Sequence, residues 1–315
     1  MKTLFIGLLI VAGVASASEH FTCGQTLDIH KLSEARAEIE KLSYLDTEYY
    51  YSVNGNHFIG DKRSEIYKNF LEECLNKQLV SYDLEALSSA DLYDIFDLIR
   101  HVNFYYQDPR LVKAMELIVL ARQRRGDIVS NLLTSLHKAY IRGRAITEAR
   151  QLEKRYPELQ FTETLPLIKN ISAERGFLEL DDNRQSILYR KFEFGPNGHV
   201  VVVSSPMCSP SKRFLSWLNA PNREMYKAIF SRFATFVSPP GDYLHIESYH
   251  AANKEIAPIK LHYIYNKDQW PEIQLWNTPV FYFFYDGKLV SQLIGWPEEG
   301  REVALTNALK AVKLL

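Results

Sequence analysis

Cysteine is scarce in this chain: 315 residues carry three, Cys23, Cys74 and Cys208. An odd count excludes a framework in which every thiol is paired within the molecule. Charge of one sign is also missing, since 37 Lys and Arg face 38 Asp and Glu for a net of -1. Without a basic domain there is no phosphate-neutralising footprint, so nucleic acid is not an expected partner. Beyond the run from Leu4 to Val14 no stretch approaches the roughly 20 apolar residues that a bilayer core demands, so no stable membrane span is expected. Three catalytic signatures are absent as well: a phosphate-cradling glycine loop, H-E-x-x-H and G-x-S-x-G. No cofactor is expected.

What is present begins with an address. Lys2, the apolar run and Ala15-Ser16-Ala17 have the order of a cleaved signal peptide over residues 1–17, which predicts an exported protein, periplasmic or secreted. In an oxidising compartment a disulfide between Cys23 and Cys74 is expected, leaving Cys208 free. An alternative stays open for Cys74: it shares a helical stripe with Ile66, Phe70 and Leu71, where a thiol is simply a small hydrophobe.

From residue 18 to 172 the spacing of apolar residues predicts helices. Asp108 before Pro109 reads as an N-cap, Gly126 as a stop, and Ser88 with Asp91 as a capping box. A repeat appears when Tyr105 is laid over Tyr140, an offset of 35 residues. Leu98 then meets Leu133, Ala114 meets Ala149 and Leu117 meets Leu152. The first copy resembles a tetratricopeptide repeat; the second has Glu153 where that family places an apolar residue. Earlier helices, from about Thr26 to Leu87, are expected to cap the stack. The concave surface of such an array implies a protein or peptide partner, with the aromatics of "TEYYYSVNGNHF" and "NFYYQ" as candidates to line it.

After residue 172 the pattern becomes strand, helix, strand, hairpin, helix, predicting an α/β domain over 173–315. A four-valine run leads into "MCSPS" (Met207 to Ser211), "TPV" (Thr278 to Val280) follows 71 residues after Cys208, and "FYFFYDGKLVSQLIGW" comes next. In that order these segments resemble the thioredoxin-like superfamily, with an insertion around residues 236–258. The expected fold is therefore α + α/β: a helical-repeat domain of αα-hairpins, then a thioredoxin-like domain.

The resemblance implies site residues. Cys208 takes the place of the nucleophilic cysteine, Pro210 that of the internal proline, and Ser211 that of the second cysteine. Thr278, Pro279 and Val280 match the loop whose proline is cis in that family, and with Met207 and Pro210 they would receive a peptide. A cysteine opening a helix meets unpaired N–H groups and the positive end of the dipole, which favour thiolate, and Lys212 and Arg213 add charge nearby. Ser211 could donate to that thiolate but cannot resolve a mixed disulfide. Two functions follow: monothiol exchange or client capture at Cys208, or a redox-inactive adaptor that only binds peptide. Some exported members of that superfamily hold copper with two cysteines and a distant histidine. Here His245, His250 and His262 lie in or near the insertion, but the second cysteine is missing and no metal is expected. Phe214 and Trp217 are expected to anchor the helix that Cys208 opens.

Overall fold

"EYYYSVNGNHFIGD" alternates side-chain character around Asn54-Gly55, a strong short-range hairpin signal. It forms one: β1 (Glu48–Val53) and β2 (Asn56–Asp61) pair antiparallel, with Gly55 at φ +81° beside the turn. The expectation of helix from about Thr26 to Leu87 is thus corrected at 48–61, where the two-residue period wins over the helical one. The structure, a computed structural model, describes residues 48–53, 55–72, 83–162, 164, 166, 168–169, 171–180, 186–240, 242 and 245–315. The expected signal peptide, Cys23 and Cys74 lie outside them.

Helices follow the hairpin. After α1 (Arg63–Phe70) come α2 (Ser89–Tyr105), α3 (Pro109–Arg124), α4 (Ser130–Arg142) and α5 (Ile146–Arg155). Their starts are chemically specified. The Ser88 and Asp91 side chains cap each other's backbone N–H at α2, and the Asp108 carboxylate accepts from Arg110 N–H at α3, with Pro109 in the first turn. Leu98 and Leu133 are both buried, as the 35-residue offset requires. The copies diverge at Leu117, which is 44% exposed, whereas Leu152 is buried. Glu153 has a reason for its charge. Its carboxylate lies 2.8 Å from Nε2 of His137, a fully buried side chain, and accepts a hydrogen bond from the Thr164 hydroxyl. An apolar residue at 153 would leave that nitrogen with the Thr164 hydroxyl, 3.1 Å away, as its remaining partner.

Among the described residues the sheet has eight strands: β3 (Ile168–Lys169), β4 (Gly176–Leu180), β5 (Ile187–Lys191), β6 (Gly198–Val203), β7 (Ala234–Val237), β8 (Leu261–Ile264), β9 (Val280–Tyr285) and β10 (Lys288–Ile294). Their order is β10-β9-β6-β7-β8-β4-β5-β3. Strands β6, β7 and β8 run parallel, β9 joins β6 antiparallel, and Asp286 and Gly287, both at positive φ, turn β9 into β10. Between the strands lie α6 (Ser209–Leu218), α7 (Glu224–Phe233) and α8 (Ile246–Glu255), and α9 (Glu302–Ala311) follows β10.

Alternation divides the valines of β6 between the two faces. Val200 and Val202, with Phe281 and Phe283, join Phe214 and the helices in one continuous buried cluster that extends into the helical stack. Val201 and Val203, with Tyr282 and Phe284, face the other way onto Trp270, Leu275 and Phe58 of β2. The hairpin therefore closes the second face of the sheet. Ile59 N–H donates to the Gln292 side-chain oxygen at 2.9 Å, and the Tyr51 hydroxyl donates to Glu272 C=O at 2.9 Å. Two of the tyrosines expected to line a partner surface, Tyr49 and Tyr51, are thus spent on this docking, although Tyr50 stays 79% exposed.

Gly198 starts β6 under the chain's C-terminal end. A Cβ there would lie 2.1 Å from Val312 O and 2.8 Å from Leu314 Cγ. Backbone on one side leaves no soft neighbour to yield, so Gly198→Ala is expected to lower stability by about 1–3 kcal/mol through overpacking. A urea midpoint equal to the parent's would refute this.

Candidate functional site

A buried strand that ends in Ser204, Ser205 and Pro206 hands the chain to α6, and Cys208 is the N-cap residue of that helix. Its backbone is committed on both sides: Cys208 N–H donates to Ser205 C=O at 3.2 Å, and Cys208 C=O accepts from Lys212 N–H at 2.9 Å. The side chain is half-buried and in no disulfide. Its thiol donates to Thr278 C=O, with Sγ 2.9 Å from the oxygen. The Thr278–Pro279 peptide bond is cis. Residues 70 positions apart thus meet at one sulfur. Only the protonated sulfur can make this contact, so attack on a disulfide requires it to break.

Around the sulfur, Met207 is half-exposed and Pro210 half-buried, giving an apolar rim. Thr278 is half-buried, and Pro279 is buried with its C=O accepting from Gly295 N–H at 2.8 Å. Ser211 and Val280 are engaged within the fold. Ser211 is fully buried and its Oγ accepts from Ser205 N–H at 3.4 Å, which supports the loop. Val280 sits in β9 opposite both Val203 and Ile294, so its backbone belongs to the sheet interior and is not offered to a peptide. Among the three residues of that loop, Thr278 is the one left facing Cys208.

Arg213 is also turned away. Its Nε–H donates to Trp296 C=O at 3.2 Å, tying α6 to the loop after β10. Phe214 and Trp217 anchor the helix as expected, Phe214 with its ring 4.6 Å from Phe281 and 5.0 Å from Trp296.

The three histidines are occupied separately. His262 stacks on Phe177 at 4.2 Å, and burial pushes its pKa down to about 4. His245 lies 3.9 Å from the Asp242 carboxylate, and His250 is half-buried in α8. Among the described residues no three His, Cys, Asp or Glu side chains converge as metal ligands. An open groove of about 460 Å³ is lined by Phe177, Glu179, Arg190, Lys260 and His262, and Cys208 does not reach it.

No protein-family model matches the chain. No curated protein matches it either. A solved structure described as a thioredoxin-like protein from Bacteroides caccae aligns with 78% of this chain and 83% of that chain. Its identity is 12% and its TM-score 0.30, a likeness too slight to bear on what the chain does.

Ser205 supports the loop, its C=O and Oγ accepting from the N–H groups of Cys208 and Met207, and no motif marks it in the sequence.

Proposed function

We propose that this is an exported, thioredoxin-like protein in which Cys208 captures client disulfides as mixed disulfides beside the Thr278–Pro279 loop. One observation supports the reading above the rest: a half-buried sulfur at a helix start, 2.9 Å from a carbonyl brought in from a distant loop. In the proposed step Cys208 loses its proton to solvent and the thiolate attacks one sulfur of a client disulfide. A Cys208–client S–S bond forms, the old S–S bond breaks, and the second sulfur leaves as thiolate. With serine at 211 nothing in the motif resolves the adduct, so release needs an external thiol. The working division is a helical, tetratricopeptide-like unit over 18–172 that positions a partner, and an α/β unit over 173–315 that meets it, with the 48–61 hairpin and β3 of the first stretch added to the sheet.

A second reading has its own observation. Ser211 is turned inward and the thiol proton is engaged by Thr278, which suits a redox-inactive adaptor that binds peptide along the same rim. Incubating the folded protein with glutathione disulfide and mapping the products separates the two. The proposal expects one glutathione adduct at Cys208, removable by excess thiol and absent from Cys208→Ser. If only the unfolded chain takes up glutathione there, the adaptor reading stands.

A further inference from the structure

Tyr282 is a phenol on a face of β9 whose other members, Val280 and Phe284, are apolar. Phenylalanine would fill that place in the cluster as well, and a buried hydroxyl has to find partners. It finds three. The Tyr282 O–H donates to Leu275 C=O at 2.8 Å, and its oxygen accepts from Leu275 N–H at 3.0 Å. Both backbone groups of one residue thus close on a single side chain. Gln292, the cross-strand neighbour of Tyr282 on β10, donates to the same oxygen at 3.2 Å.

Gln292 carries the connection on to the hairpin. Its Nε2 also donates to Ile59 C=O at 3.0 Å, while its Oε1 accepts from Ile59 N–H. Ile59 offers one donor and one acceptor, which fixes the orientation of the amide. Every polar hydrogen of the two side chains is used. Burial holds the Tyr282 hydroxyl protonated far above its ordinary range, so it remains a donor at neutral pH. The hairpin also reaches the same segment directly, Asp61 N–H donating to Gln274 C=O at 3.0 Å and Tyr51 O–H to Glu272 C=O. Residues 272, 274 and 275 are therefore all fastened. Thr278, whose C=O receives the Cys208 thiol, follows directly along the backbone.

We propose that Tyr282 and Gln292 are positioning residues for Cys208: they fasten the 272–275 segment to the 48–61 hairpin, and so hold Thr278 C=O at the thiol. This rests on Cys208 being the working residue of the site. The hairpin then does more than close a sheet face, because it joins the first part of the chain to the loop beside the sulfur. Without the hydroxyl, Leu275 loses the group that holds both its N–H and its C=O. The loop shifts, and the thiol leaves its carbonyl more often.

Iodoacetamide alkylation of Cys208 in the folded full chain at pH 7 tests this. Tyr282→Phe keeps the ring and removes the hydroxyl. Its rate is expected to rise roughly three- to tenfold, the size of one net hydrogen bond, with faster amide exchange at Leu275 and parent-like exchange at Leu133 in the helical stack. Tyr140→Phe is the control for general loosening. It removes a buried hydroxyl that joins α4 to Glu116 of α3, and should alkylate at the parent rate. Gln292→Leu changes a half-buried position that bonds to no backbone group of the loop. It is read against the same threshold, and decides alone if Tyr282→Phe does not fold. An increase below about threefold, an equal increase in Tyr140→Phe, or exchange that quickens equally at Leu275 and Leu133 overturns the proposal. Alkylation reports the position of the sulfur whether or not it exchanges with glutathione, so failure here is distinct from failure of the mixed-disulfide reading.

Discussion

Lowering the pH from about 6.5 to 4 is expected to cost this fold about 3 kcal/mol for each of His199 and His262. Burial pushes both down to about 4 from an ordinary 6.5. His199 sits against Phe192 at 5.3 Å with Nε2 3.0 Å from the Thr235 hydroxyl, where a second charge-bearing proton has little solvation. His262 faces Glu179, which opposes the shift, and Lys260 and Arg190, which reinforce it. The sign follows from proton counting. Between the two pKa values the unfolded chain binds protons that the folded chain refuses, so stability rises with pH across this window and is flat above about 6.5. Carboxylates act lower down: Asp108, held below its ordinary 3.8 chiefly by the Arg110 side chain, gives up its contribution only as the pH falls past that value. Urea midpoints at pH 7, 6, 5 and 4 provide the measurement. A parent midpoint that stays level down to pH 4.5 would contradict the assignment, as would a His262→Gln variant with the parent's slope.

Phe214→Ala is expected to be the most damaging single change at the site, at roughly 3–5 kcal/mol. The side chain is fully buried, and its ring lies within 6.3 Å of the ring centres of Phe281, Trp296, Phe230, Trp217 and Phe236. Truncation opens a void walled by large planar rings on α6, α7, β7 and β9, which cannot collapse into it together. Because α6 begins at Cys208, the loss should also be read at the sulfur as faster alkylation. Phe214→Leu refills much of the volume and should recover most of the stability. Equal midpoints for the alanine and leucine variants would show that the cavity is not the cause.

Some of this was legible in the residues and some was not. Helix starts at Ser88 and Asp108 are local chemistry, decided by a side chain and the N–H groups two or three residues on, so spacing alone located them. Strand β6 was equally plain from four consecutive valines. The hairpin at 48–61 carries its own signal in Asn54-Gly55, set against helical periodicity on both sides. Its role in closing a sheet face more than 130 residues away is a different matter. No local pattern says that Phe58 joins Val201 and Trp270, since contacts at that separation depend on which face of the sheet remains uncovered.

The site divides the same way. Residue types along the chain determined that one sulfur would open a helix and that a Thr-Pro loop would follow a fixed set of elements, because N-cap position and strand order are consequences of short-range sterics and alternating burial. Tertiary structure alone decided which way Ser211 and Arg213 point, that Val280 is consumed by two ladders, and that Tyr249 reaches Asp242. A side chain's direction at an element's end is settled by whichever unsatisfied donor or void lies across the interface, and that neighbour comes from elsewhere in the chain.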